Sequence, residues 1–464
     1  MKRSLFIAIL MAALVQSAFA QHDMKSMKST KHKPNNEADK DDDNEMDDMA
    51  DAEVEAIIER LKWAQMTSGL SLNLPMNRDG SGTAWQPDAT SVYAYMTHTK
   101  KWLFMFGGDI FARYEKQDIT NEGHRGGEKW DAPDMLMAMA QRKIGQKGLI
   151  HFSAMFSTDA LIDGGNGYPL LFQTGESWQG VPLTDRQHPH DLFSELSASY
   201  AYALSKKSDL SLYVGYPGEP ALGPVTFMHR ASGEFMPDAP IGHHWEDATH
   251  ITFGVATLGF RYGRFKIEGS SFTGREPDEN RYNFDSPLMD SWSGRVSYNP
   301  SSRWSFQVSH GFIKSPEALN PNEDVTRTTA SATYVHPIAD GKYVAATALW
   351  GQNMIAGQSA SNAALLEATL KLNKLAIYSR YEWVQKTNEE LIYDPNMPTW
   401  LQQYNLSVVT LGAGYDLFTI AHITVAGGIQ GSVNMPDAEL TGLYGKMPLS
   451  GEVYLHFYPA QMMK

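Results

Sequence analysis

The chain has 464 residues, 39 Lys and Arg against 53 Asp and Glu for a net charge of −14, and no cysteine. The lack of cysteine removes disulfides and thiolate metal sites, and the acidic balance, with no basic stripe, argues against nucleic acid as a partner. No run of apolar residues beyond the N-terminal twenty is long enough to cross a bilayer as a helix.

In MKRSLFIAILMAALVQSAFA, Lys2 and Arg3 precede a short apolar run, Leu5 to Val15, and Ala18-Phe19-Ala20 has the small-x-small pattern of a cleavage site. Residues 1–20 therefore read as a secretory signal peptide, with an uncleaved anchor as the alternative. Residues 21–52 are expected to be a disordered tail, with His22, Met24, Met27 and His32 followed by Met46 and Met49 among carboxylates. The stretch 37–60 holds twelve acidic and two basic residues, so it carries −10 of the chain's −14 and the remainder is nearly neutral. Val54, Ile57, Ile58 and Leu61 recur at helical spacing, which predicts a short helix over 53–65.

From residue 66 onward the dominant period is two. AALLEATLKLN puts Ala364, Leu366, Ala368, Leu370 and Leu372 on one face and Glu367, Thr369, Lys371 and Asn373 on the other. LAIYSRYEW points Leu375, Ile377, Tyr381 and Trp383 one way and Arg380 and Glu382 the other. Charges on the face opposite the apolar one suit a watery lumen better than a dry sandwich core, so Glu367, Lys371, Arg380 and Glu382 are expected to line a lumen. The strands are long, Tyr and Trp gather near their ends, and short turns alternate with long loops down the chain. The expected fold is all-β: a transmembrane antiparallel β-barrel over 66–464, of about eighteen strands with sixteen as the alternative, with short periplasmic turns and long extracellular loops. Its first two strands are placed at 66–75 and 90–98, and the loops 159–190 and 218–249 are expected to fold over or into the lumen. The last strand ends at Tyr458 and is followed by PAQMMK, which displaces the terminal aromatic that many such barrels carry.

Six of the fifteen histidines fall within 188–250. RQHPHD supplies His188, His190 and Asp191, PVTFMHR supplies Met228 and His229, and GHHWEDATH supplies His243, His244, Glu246, Asp247 and His250. Met236 and Asp238 lie just upstream of the last group. Imidazole, carboxylate and thioether together suit copper or zinc, so these ten loop residues are candidate metal ligands, and the N-terminal Met/His tract is a second candidate for copper. Purely structural loop histidines and a catalytic loop site stay open beside that reading. No GxSxG or HExxH occurs, and no spacing pairs a nucleophile with a base, so no enzyme activity is expected.

Blocks including SLNLPMNRDGSGT, TDRQHPHDLFSELS, GYPGEPALGPVTFMHR and GHHWEDATHITFGVATLGFRYG, within about residues 70–315, resemble an uncharacterised family of secreted, barrel-like proteins of Gram-negative bacteria. The resemblance implies an outer-membrane location and a setting near copper or heavy-metal efflux genes, and carries over no site residue. The expected function is a porin-like outer-membrane channel tied to copper handling. Its alternatives are a non-conducting barrel that sequesters copper at its loops and tail, and an outer-membrane enzyme. Outer-membrane lipid is the expected partner, and assembly as a homo-oligomer stays open.

Overall fold

The computed structural model describes residues 66–461 apart from His124 and 393–398. The expected signal peptide (1–20), tail (21–52) and helix (53–65) lie outside the described residues. Sixteen antiparallel strands close into a barrel. They are β1 Leu103–Gln117, β2 Asp134–Ile144, β3 Gly148–Phe156, β4 Phe193–Ser205, β5 Ser208–Gly215, β6 Val255–Tyr262, β7 Phe265–Phe272 and β8 Ser291–Ser301. The second half comprises β9 Trp304–Ile313, β10 Val325–Ala339, β11 Lys342–Ile355, β12 Ser361–Leu372, β13 Leu375–Thr387, β14 Gln403–Ile420, β15 Ile423–Met435 and β16 Leu449–Pro459. The barrel shuts where β16 pairs with β1, from Gly451 opposite Lys116 to Phe457 opposite Ile110. Two short strands, Tyr95–His98 and Gly127–Asp131, extend the pairing at the two ends of β1.

The two faces of the strands are inverted relative to a soluble protein. On β6, Thr257 and Arg261 are buried while Leu258, Phe260 and Tyr262 are exposed; on β7, Lys266, Glu268 and Ser270 are buried while Phe265 and Ile267 are exposed. Polar groups turned inward and apolar groups turned out require an apolar solvent outside, which is what a lipid-spanning barrel has. Exposed Tyr262, Phe265, Trp304 and Tyr415 form an aromatic belt at one rim. The chain is an outer-membrane β-barrel. That rim carries the short connections: β6–β7, β8–β9, β10–β11, β12–β13 and β14–β15 are each joined by two residues. Gly263 (φ +59°) and Gly341 (φ +67°) supply the left-handed backbone such tight hairpins need. The connections at the opposite rim are longer, up to the stretches 157–192 and 216–254. Short turns are periplasmic and long loops extracellular in this architecture.

The expectation of eighteen strands is corrected to sixteen. Segment 66–75 pairs with itself, Thr67–Ser68 against Ser71–Pro75, inside the lumen. Gln141 Nε2 of β2 donates to the Thr67 carbonyl (3.1 Å) and Ser199 Oγ of β4 donates to the Gly69 carbonyl (3.2 Å). Segment 90–98 contracts to Tyr95–His98. Alternation over so few residues, ending at a proline that cannot donate to a ladder, arises from packing on the lumen wall as readily as from crossing a membrane.

The lumen is filled. The N-terminal segment contributes Thr83, Trp85 and Gln86, which bond Arg295, Ser305 and Asn299 of the wall. Loop 157–192 puts the Phe172 carbonyl on Lys386 Nζ of β13 at 2.6 Å. Loop 216–254 bonds the wall through Gly223 on Ser309, Arg230 on Glu367 and the Ile241 amide on Glu382. Glu367, Lys371, Arg380 and Glu382 all face inward and are buried. Glu367, Arg380 and Glu382 hold the filling, and Lys371 pairs with Asp416 (2.9 Å), so the four do not edge an open water channel.

Candidate metal centre

Two loops meet in the extracellular half of the lumen. Loop 157–192 is braced by the hairpin Tyr168–Trp178 with Val181–Gln187, and its exit delivers His188 and His190 on either side of Pro189. Loop 216–254 carries a single helical turn, His243–Glu246, followed by a 3-10 turn, Ala248–His250. These turns present His243, His244 and His250 to the first pair. The ring centres lie 5.1 Å apart for His243–His250, 5.4 Å for His243–His244, 5.5 Å for His190–His250, 5.6 Å for His188–His244 and 6.3 Å for His188–His243.

Each of the five rings is held by its Nδ1. His190 Nδ1 meets Asp159 at 2.7 Å, His243 meets Asp247 at 2.5 Å, His188 meets Glu176 at 3.2 Å and His244 meets Glu276 at 3.4 Å. His250 Nδ1 meets the Asp247 carbonyl at 3.0 Å. Carboxylates and carbonyls only accept, so every Nδ1 carries a proton, and in the neutral form of each ring Nε2 is the lone-pair donor. All five Nε2 atoms are buried and none has a hydrogen-bond partner among the described residues. Unpaired buried polar atoms are costly, and a carboxylate behind each imidazole is the arrangement that orients metal-bound histidines. Two imidazoles sharing one ion through Nε2 at about 2.0–2.1 Å keep ring centres roughly 5–6 Å apart. Among the described residues, no group of three or more His, Asp or Glu side chains is placed so that it could hold a metal ion without rearrangement.

Charge favours the neutral form of His188 and His250 and the protonated form of His190 and His244. Burial, reinforced by Arg281, pushes His188 well below the ordinary histidine range, and burial with the neighbouring His243 does the same for His250. Burial also opposes charge on His190 and His244, but Asp159 and Glu276 lift both above the ordinary value. Asp247 is held down to about 2: burial works against its charge, and His243 and Arg230 outweigh it.

Of the ten candidate ligands, five stand in the cluster. Asp247 backs His243 and His250 rather than offering itself as a ligand. Asp191 turns to Arg281 at 3.3 Å. Glu246 is buried beside Gly242, and burial, then Asp247, keeps its carboxyl far above the usual carboxylate range. Met228 and His229, with the neighbouring Met236, line a separate cavity deeper in the lumen, and Asp238 pairs with Arg113 at 2.5 Å. Asp159, Glu176 and Glu276, which aim three of the imidazoles, were not among the candidates; they lie far along the chain from their histidines and no local motif marks them. Gly175 is a further participant: a Cβ there would sit 2.3 Å from His244 Nε2.

The cluster opens through His244 onto an outer cavity of about 680 Å³. Glu276, Asp278, Glu279, Glu317, Glu389 and Glu390 border it against Arg281 and Arg327, an excess of acid that concentrates cations. Burial, then Glu276, pushes Glu317 up to about 8.

No family model matches the chain, and no curated protein matches it. Solved structures of similar shape are outer-membrane proteins. OmpF of Salmonella typhi, in complex with daunomycin, superposes with a TM-score of 0.49 at 10% identity, over 78% of this chain and 100% of that one. An anion-selective porin from Comamonas acidovorans gives 0.45 at 11% identity over 77% and 99%. OmpT of Vibrio cholerae gives 0.42 at 10% identity over 79% and 100%. The barrel assignment rests on the strand register and the inverted faces described above.

Proposed function

We propose that this porin-like outer-membrane barrel captures a transition-metal cation, copper or zinc, from the extracellular side at the cluster His188, His190, His243, His244 and His250. The observation that carries the reading is the set of five unpartnered Nε2 atoms, each on a ring whose Nδ1 is already held. Neutral imidazole is a ligand for both metals. The acidic outer cavity supports cation entry, and the filled lumen supports selective passage or retention over free diffusion.

The test is Cu(II) and Zn(II) binding to the purified full chain in detergent, compared with His243→Ala/His244→Ala. The double variant is expected to lose at least one bound equivalent while keeping the heat-modifiable gel migration of a folded barrel. Equal stoichiometry in both proteins would sink the reading. Planar-bilayer recordings separate passage from retention: small steps that copper blocks indicate passage through the histidines, and silence indicates a capture protein.

A further inference from the structure

We infer that the lumen holds a second, separate site against the β1–β3 wall, which takes a soft monovalent d10 cation, Cu(I) or Ag(I), by thioether coordination. It shares no side chain with the histidine cluster and does not depend on that reading.

The argument begins with strand register. On β1, β2 and β3, Met105 pairs opposite Met139, Met137 opposite Met155, and Met135 opposite Asp109. These five methionines share the inward parity of Gln141 and Ser153 and border one cavity. On β7, by contrast, the buried inward positions are Lys266, Glu268 and Ser270, and on β12 they include Glu367, Thr369 and Lys371. Three adjacent strands therefore present sulfur over one patch where β7 and β12 present charge and hydroxyl.

The opposite side of the cavity is built by loop 216–254, which contributes Met228, His229, Glu234 and Met236. His229 and Glu234 make no hydrogen bond or ion pair among the described residues, although both are groups that normally find one.

Packing alone would use these methionines differently. Methionine is the residue that fills irregular gaps, yet here about 190 Å³ remains open against the thioethers. An apolar lining built for packing also has no use for an unpartnered imidazole and carboxyl. Thioether with imidazole selects soft ions over hard ones.

The probe is Ag(I), which needs no reductant. The full chain in detergent is dialysed to equilibrium against Ag(I) with free methionine as competitor, and the bound silver is examined by X-ray absorption. The Met137→Leu/Met139→Leu/Met155→Leu triple variant keeps side-chain volume and apolarity. It is expected to lose one Ag(I) equivalent and the matching part of the Ag–S signal, while His243→Ala/His244→Ala keeps both. Methionines outside the cavity contribute equally to all three proteins and cancel. If the triple variant does not yield a heat-modifiable barrel, Met105→Leu/Met135→Leu is read in its place with the same expectation. Silver stoichiometry unchanged in the Met→Leu variant that folds overturns the site.

Discussion

His243 and Asp247 face each other across one helical turn, Nδ1 to Oδ1 at 2.5 Å, and the other oxygen of Asp247 accepts from Arg230 at 2.9 Å. Arg230 in turn donates to Glu367 of β12 at 2.7 Å, and Glu367 also pairs with Arg380 at 3.1 Å. The imidazole at the middle of the cluster is thus tied to the barrel wall through two buried ion pairs.

Replacing Arg230 with Met should expose the cost of that tie. Asp247 and Glu367 would be left buried and undercompensated, a loss of about 3–5 kcal/mol when one partner of a buried pair is removed. Urea unfolding in detergent is expected to shift to lower denaturant, with weaker metal binding alongside. An unchanged midpoint would mean the loop is held by its other contacts.

Asp159→Asn tests the aiming of His190. The carboxylate receives His190 Nδ1 at 2.7 Å and the Asp134 amide at 2.9 Å. Asparagine keeps an acceptor but loses the charge, so the fold should persist while metal affinity falls about 10–100-fold, the usual effect of such outer-shell changes. A competition titration with a chromogenic chelator reads this directly, and undiminished affinity would remove His190 from the donor set.

Gly175→Ala removes no imidazole but crowds one of them. Its Cβ would come within 2.3 Å of His244 Nε2, at a position where φ is +109° and a side chain is already disfavoured. Bound metal is expected to drop with the barrel intact. Full occupancy in this variant would show that His244 does not donate through Nε2.

Topology is tested at the loop rims. The filled position of 216–254 hides it from outside reagents, so the informative tag sites are Pro321 and Asn322, which are exposed on the β9–β10 connection, and the exposed Ser302–Arg303 turn between β8 and β9. Intact cells should expose the first tag and not the second. The reverse labelling would invert the orientation.

Most of the barrel was legible because each crossing strand carries its own signature: β12 reads as apolar out and Glu367, Thr369, Lys371 in from eleven residues of sequence. The two miscounted strands lay where alternation was brief. The five rings that converge all lie where histidine is dense in the sequence, between 188 and 250. Their separation from Met228 and His229 was not readable, because neighbours in sequence part company when a loop folds back into a lumen. The carboxylates behind the rings were invisible for the opposite reason: Glu176 and Glu276 reach His188 and His244 only through three-dimensional closure. The methionine wall did leave a trace, DMLMAMAQ, in which Met135, Met137 and Met139 fall on the face that Gln141 marks as inward. An apolar strand hides such a face, since sulfur counts as hydrophobic in any pattern.

The filled lumen has a consequence for throughput. A hollow barrel is a sieve, with flux proportional to concentration and a cut-off set by bore. In this barrel, side chains bond the wall to the inner segments, among them Ser199 to the Gly69 carbonyl and Arg327 to the His244 carbonyl. A solute would have to part such contacts to pass, so the bore of the barrel alone sets no size cut-off here.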